Sequence, residues 1–270
     1  MNELQSVSMD LLKEFVRLCE ALHLRYFAVG GTCLGAVRHG GFIPWDDDID
    51  VGMPRRDYEI FIKEAPAICK EYYYIQNFKR EEEPDLIYIF TKMRDSRTAF
   101  IEKGCRDKSF NQGIFLDIFP LDGENRDPGF WFRSKILGYK IAGDTLKNGR
   151  PIHKLIRLFL KFYPISLEKA RRKLDKMFSK YDYETSEKVA NYCGAWAKKE
   201  IMKREWIEPV KTLAFEDITV NVPGNYDAYL KRMYGNYMQL PPEEKRQSHH
   251  DCEIVDAEKS FTEYKKEKQQ

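Results

Sequence analysis

The chain has 270 residues, of which 43% are hydrophobic and 14% aromatic, enough for one packed core with an appendage and too much for global disorder. Its six cysteines (Cys19, Cys33, Cys69, Cys105, Cys193, Cys252) lack CxxC spacing, which excludes a disulfide framework and a thiolate zinc site. The net charge of +2 conceals an imbalance: residues 130–180 hold fourteen Lys and Arg against Asp144, Glu168 and Asp175, so the remainder is net negative by nine. In chain order, Leu11, Leu12, Phe15, Val16, Cys19 and Leu22 recur at helical spacing, predicting an amphipathic helix over about residues 8–23. Asp10, Lys13 and Glu14 interrupt it, so it does not read as a leader. No window reaches the apolar length of a membrane span, and the expectation is a soluble cytoplasmic protein.

A strand is expected at 26–29, then a Gly30-Gly31 turn, a short helix at 32–38, a loop, and a strand at 48–52. Pro54 suits a helix start, and Tyr58, Phe61, Ile62, Ala65 and Ile68 supply that helix with an apolar stripe. Strand-like runs follow at 72–76, 86–93, 98–101 and 114–119, giving an α/β (α+β) unit whose mixed sheet lies mainly in the first 120 residues. From Pro128 to about Lys199 the pattern turns helical, with one stripe of Ile152, Leu155, Ile156, Phe159 and Leu160 and another of Leu167, Leu174, Met177 and Phe178, parted by Pro164. A short β pair at 213–215 and 218–220 precedes a helix at 226–234, and residues 257–270 read as a frayed, charged tail. The expected organisation is a catalytic core over 1–127, a basic inserted helical subdomain over 128–205, a β/α segment over 206–256 completing the core and the substrate site, and the tail.

The richest stretch is Gly30-Gly31-Thr32 followed by the run Trp45 to Val51. On a strand, Asp48 and Asp50 point one way while Ile49 and Val51 point the other. Two carboxylates on one face repel unless a cation lies between them, and hard oxygen ligands suit Mg²⁺ or Mn²⁺. The glycines leave backbone N–H groups open to a phosphate at the next helix start. Acidic runs and Gly-Gly pairs are separately common in turns. Their combination, running straight into an apolar alternation, favours metal-dependent transfer of a phosphorus group.

Such a site wants a third acid from elsewhere in the sheet. Asp117 stands inside the otherwise apolar run 114–119, where an unpaired carboxylate costs several kcal/mol, roughly. Asp122 is second choice, because Asp122-Gly123 after Pro120 is a turn signature.

The stretch YFAVGGTCLGAVRHGGFIPWDDDIDVGMPRRDY (26–58) resembles the signature of the LicD family of phosphocholine transferases, which shares the nucleotidyltransferase fold and is related to the fukutin group. The likeness continues in GIFLDIFPLDG (113–123) and YLKRMYGNYMQLPPEEKRQSHH (229–250). The interval from Gly31 to Asp48 is longer than in typical nucleotidyltransferases and matches the LicD-type subfamily. The resemblance implies a nucleotidyltransferase-like core with Asp48, Asp50 and Asp117 as metal triad. It implies transfer of phosphocholine from CDP-choline to a sugar hydroxyl of a cell-surface glycopolymer precursor (teichoic acid, lipopolysaccharide or capsule type), releasing CMP. Phosphoethanolamine or a polyol phosphate are alternative cargoes.

On that reading Gly30, Gly31 and Thr32 cradle a phosphate, and Arg38 and His39 approach the diphosphate. Lys92 and Arg94, two apart on a strand, reach the leaving phosphate, or else are solvated strand-edge charges. Trp45, Tyr234 and Tyr237 are candidates for caging a quaternary ammonium. His249 is read as a substrate contact, since adjacent histidines point apart and the His249-His250-Asp251-Cys252 run lacks ligand spacing. The expected partners are a CDP-linked donor, a lipid-linked glycan acceptor and, through the basic middle segment, an anionic membrane at its inner face; nucleic acid is not expected. Two other readings stand: a nucleotide-sugar glycosyltransferase, disfavoured because the Asp-x-Asp arrives by residue 50, and a non-catalytic docking module, which would make the acids dispensable.

Overall fold

The computed structural model describes residues 1–80, 85–142, 160, 165–248 and 250–266. Helix α1 (Glu3–Ala21) is opened by a capping box between Asn2 and Gln5 and buries Leu11, Leu12, Phe15 and Leu18 completely. Strand β1 (Phe27–Ala28) leads into α2 (Gly30–His39), β2 (Asp50–Pro54), α3 (Arg55–Ile68), β3 (Tyr73–Gln76), β4 (Thr91–Asp95), β5 (Ala99–Glu102) and the long β6 (Ile114–Gly123). Helices α4 (Phe130–Ala142) and α5 (Leu167–Phe178) follow. The chain then returns to strands β7 (Lys188–Asn191) and β8 (Ile201–Lys203), the hairpin β9 (Lys211–Phe215) and β10 (Ile218–Val222), helix α6 (Tyr226–Tyr234), β11 (Cys252–Asp256) and α7 (Phe261–Lys266).

The main sheet has the order β1-β2-β6-β4-β3, with β7 added beside the end of β6 and β8 beyond it. Only β2 and β6 run parallel; the other pairs are antiparallel, so the sheet is mixed and the fold α+β. All ten residues of β6 are buried, because neighbours cover both edges. Helices α1 and α3 pack against β2, β4 and β6 from one side. Alternation along β6 separates its two carboxylates: Asp122 meets Arg55 of α3, whereas Asp117, an odd number of residues away, faces the opposite side.

Several expectations shift. Strand β2 starts at Asp50, not 48, although the ladder already takes the Ile49 carbonyl from the Asp117 N–H. Both glycines belong to α2 instead of a turn before it. The run from 86 becomes strand only at Thr91, because Leu86 is drawn into a satellite cluster with Phe78, Cys105 and Phe110. Asp122-Gly123 is no turn but the end of β6, extended by pairing with β7. The α-helical stretch expected to run to about Lys199 stops at Phe178; buried Val189 and Ala190 rejoin the sheet, and a 3₁₀ turn over Ala197–Glu200 follows. The tail is not frayed as far as Lys266: β11 pairs with β5, and Phe261 packs on Ala99 and Ile101. The stripe at 152–160 lies outside the described residues except for Leu160, which is buried.

Candidate active site

Register places Asp50 opposite Asp117 and Asp117 opposite Lys92, so three charged side chains from β2, β6 and β4 form one row on one face of the sheet. Lys92 Nζ lies 2.8 and 3.0 Å from the two Asp117 carboxylate oxygens and 3.3 Å from the centre of the Phe115 ring. Asp48 precedes the row by two residues in the extended segment entering β2.

The start of α2 closes one side. Gly30 has φ +53°, and a Cβ there would lie 3.0 Å from Asp50 Oδ2. A Cβ at Gly31 would lie only 2.4 Å from Asp46 Oδ2, which a real side chain does not tolerate. The glycines therefore let the site's own carboxylates approach the helix. The Gly30 N–H donates to the Tyr229 hydroxyl at 2.8 Å, and the Thr32 hydroxyl accepts the Asp50 N–H at 2.8 Å. Two elements of the expected phosphate cradle thus assemble the site. The Gly31 and Thr32 N–H groups sit in the first turn, where a helix offers no carbonyl of its own.

The loop carrying Asp46, Asp47 and Asp48 is pinned at both ends. Gln5 Nε2 donates to the carbonyls of Ile43 (3.3 Å) and Asp46 (3.0 Å), and Glu216 accepts the Phe42 N–H at 2.9 Å. Asp47 accepts a hydrogen bond from Ser248 and contacts His250 Nδ1 at 3.1 Å, while His250 Nε2 stands 3.9 Å from Asp48. The His250 ring rests edge-on against Phe100 and Phe115, both at 5.6 Å.

Five carboxylates therefore gather here; Lys92 contacts Asp117, and His250 contacts Asp47 and Asp48. Burial, reinforced by Asp48 and Asp47, pushes Asp46 up to about 7. Burial, with Asp117 and Asp47 adding to it against His250 and Lys92, pushes Asp48 up to about 6. Burial and then Asp48 and Asp117 raise Asp50 well above the ordinary carboxylate range. Asp117 is raised by burial despite Lys92. Burial would raise Asp47 as well, but its bonds to His250 and Ser248 hold it low. Such excess negative charge, offered by oxygens and one imidazole nitrogen, fits a divalent cation. Ligand atoms of Asp47, Asp48 and His250 lie within 4.8 Å of one another.

The other sequence candidates divide. Arg38 reaches the Tyr237 carbonyl at 2.7 Å, and burial lowers its pKa. His39 stands edge-on to Trp45 at 6.4 Å, and the Arg246 guanidinium lies 5.6 Å from the Trp45 ring. Lys92 and Arg94 are not strand-edge charges: both are buried in β4, and Arg94 is bound to Gln76 and the Gly113 carbonyl at 2.7 and 2.8 Å. Tyr237 donates its hydroxyl to Asp227. Tyr234 meets the half-exposed Trp196 edge-on at 5.9 Å, and Asp50 and Asp46, after burial, raise its pKa. His249 lies outside the described residues. Its neighbour His250 is the histidine that contacts the carboxylates, through Asp47 and Asp48 rather than through residues of its own run.

Sequence reasoning did not single out Asp46, Asp47, Tyr229 or Trp196, and it set His250 aside. The first two belong to the acidic run itself, and Tyr229 and His250 open and close the third block of family likeness; Trp196 gives no local signal.

Comparisons with known proteins identify the family. The family model described as LicD/FKTN/FKRP, nucleotidyltransferase domain, matches residues 23–140, which carry all five carboxylates and Lys92. This match, with the relative that follows, makes the protein an enzyme of the phosphotransferase class. The chain is 31% identical over 266 residues to the lipopolysaccharide cholinephosphotransferase LicD of Haemophilus influenzae, covering 93% of this chain and 96% of that protein. It is 50% identical over 42 residues to the ribitol 5-phosphate transferase FKRP of mouse and human, covering 16% of this chain and 8% of those proteins. The chain belongs to the LicD family.

Proposed function

We propose that this enzyme transfers phosphocholine from CDP-choline to a hydroxyl of a cell-surface glycan precursor, of lipopolysaccharide type, and releases CMP. The observation that carries the reading is the row Asp50–Asp117–Lys92 beside Asp48 and the start of α2, in a chain matching LicD along nearly its whole length. Asp48, Asp50 and Asp117 are the proposed holders of Mg²⁺ or Mn²⁺; His250, whose imidazole nitrogen lies within 4.8 Å of ligand oxygens of Asp47 and Asp48, is the proposed nitrogen donor. A divalent cation there supplies Lewis-acid charge to the donor's diphosphate. Lys92 opposes the effect of burial on Asp117 and holds it in place, and Asp47 orients His250. The Gly31 and Thr32 N–H groups and Arg38 receive phosphate oxygens. The acceptor hydroxyl oxygen attacks the phosphorus nearer choline as its proton passes to a carboxylate of the site, and the bond from that phosphorus to the oxygen retained by CMP breaks. Tyr234 and Trp196 form the aromatic wall for the quaternary ammonium.

The test is calorimetric binding of CDP-choline, CDP-ethanolamine, CDP-ribitol and UDP-sugars with and without Mg²⁺ or Mn²⁺. The expected result is cation-dependent preference for CDP-choline, lost in Asp48→Asn, and weakened several-fold in Trp196→Ala while CMP binding is unchanged. The match to FKRP favours one second reading, transfer of a polyol phosphate, which preference for CDP-ribitol would establish. Binding of UDP-sugars alone would overturn the phosphotransfer reading.

A further inference from the structure

The charge excess of the middle segment takes a definite shape. Helix α5 turns Ala170, Leu174 and Phe178 onto Phe130, Leu137 and Ile141 of α4. Its other face is left to cations, and a cleft of about 350 Å³ opens between the helices. Phe130 and Met177 give the cleft an apolar lining, and Arg133, Lys173, Lys176 and Lys180 stand around it. Lys180 is paired with Asp127. Arg133, Lys173 and Lys176 are exposed and have no ion-pair partner among the described residues. One residue before Arg133, Phe132 is 71% exposed, the most exposed of the large hydrophobic side chains described. Lys135 and the half-buried Ile136 follow it at helical spacing.

We propose that this α4–α5 face docks on an anionic bilayer, with lipid phosphates at the mouth of the cleft and Phe132 entering the boundary between headgroups and acyl chains. Three exposed cations without an ion-pair partner among the described residues, set around an apolar-floored cleft, complement an anionic headgroup carrying a chain. Phe132 selects the bilayer over a dissolved anion: a phenyl ring held in water beside cations gains nothing from a free phosphate, but is withdrawn from water at a lipid interface. No described helix is long and apolar enough to cross a membrane, so lipid contact through these residues is peripheral. Arg55 then couples the face to the catalytic core. It bonds Asp122 of β6 at 2.6 and 2.7 Å and Asp175 of α5 at 2.9 Å, so the docked helices and the strand bearing Asp117 are tied together. The docking does not depend on which group the enzyme transfers.

The test is sedimentation of the full chain with vesicles of phosphatidylcholine, with and without phosphatidylglycerol. The wild type is expected to pellet with the anionic vesicles only. The variant R133Q/K173Q/K176Q is expected to lose about a hundredfold in partitioning, each cation near an anionic surface being worth roughly fivefold. Phe132→Ser, which leaves the charge unchanged, is expected to lose several-fold. Donor turnover on a soluble acceptor, measured without vesicles, should be the same for wild type and both variants, so a failed docking experiment leaves the catalytic reading untouched. Equal partitioning to neutral vesicles, or an unaffected triple variant, would overturn the proposal. So would a Phe132→Ser variant that binds like wild type while soluble polyphosphate binds the wild type, an outcome that would make the cleft a site for a dissolved polyanion.

Discussion

Lys92 and Asp117 carry the sharpest energetic demand at the scale of single residues. Both are buried, and their pairing at 2.8 Å is the main compensation for taking two charges out of water. Removing only the cation strands the carboxylate, so Lys92→Met should cost roughly 3–5 kcal/mol in urea unfolding of the cation-free protein. Adding Asp117→Asn should recover much of that, because the stranded charge is gone; a double variant no more stable than the single would remove the pair from the account. This row was partly legible in the sequence. Asp48 and Asp50 could be read because strand alternation makes two-residue spacing meaningful, and Asp117 because a carboxylate amid β-branched and aromatic residues needs a reason. Lys92 and Arg94 were legible as same-face residues but not as buried ones, since neither sequence nor spacing tells an edge strand from a central one. Gly30 and Gly31 were read for a phosphate; what stands against them is Asp50 and Asp46.

Elements matter here mainly as carriers. The segment between β7 and β8 holds Trp196, and Glu200 fixes it: this carboxylate accepts the Trp196 N–H at 2.9 Å, and it fills the space a side chain at Gly194 would need. Burial lifts Glu200 from its ordinary 4.5 to about 7. A carboxylate raised on folding contributes its stability fully below the unfolded value and loses it as pH rises through the folded one. The chain should thus lose roughly 3 kcal/mol from this group between about pH 4.5 and pH 7 and above. Glu200→Gln keeps an acceptor for the Trp196 N–H and should flatten that part of the pH dependence in thermal melts. An unchanged slope from pH 5 to pH 8 would show that Glu200 is not its source. The sequence pattern reads as helical to about Lys199; pairing of Val189 and Ala190 with the end of β6 breaks it, and a single 3₁₀ turn over Ala197–Glu200 is what remains of it here.

The whole molecule concentrates negative charge at one place and positive charge at another, as the composition indicated. Five carboxylates in the site repel in the absence of a cation, and folding holds them together regardless. A cation that binds the folded chain alone must then stabilise it: at a hundred times its dissociation constant Mn²⁺ should add about 2.7 kcal/mol, raising the melting midpoint by roughly 5–10 °C. Asp48→Asn should abolish the rise, and a wild-type midpoint indifferent to Mn²⁺ would refute a cation site built from these residues. What no sequence pattern conveys is the long reach that completes the site. Ser248 and His250 meet Asp47 across 201 and 203 positions of chain, held there by the pairing of β11 with β5. Closing so large a loop is slow relative to forming the α2–β2 neighbourhood, where Thr32 finds Asp50 only eighteen residues away. Assembly therefore has an order in time. A refolding chain gathers its repelling aspartates first and acquires the imidazole beside them last, so secondary structure returns before the ability to bind a cation tightly, and the interval between them measures how long the C-terminal strand takes to find its edge.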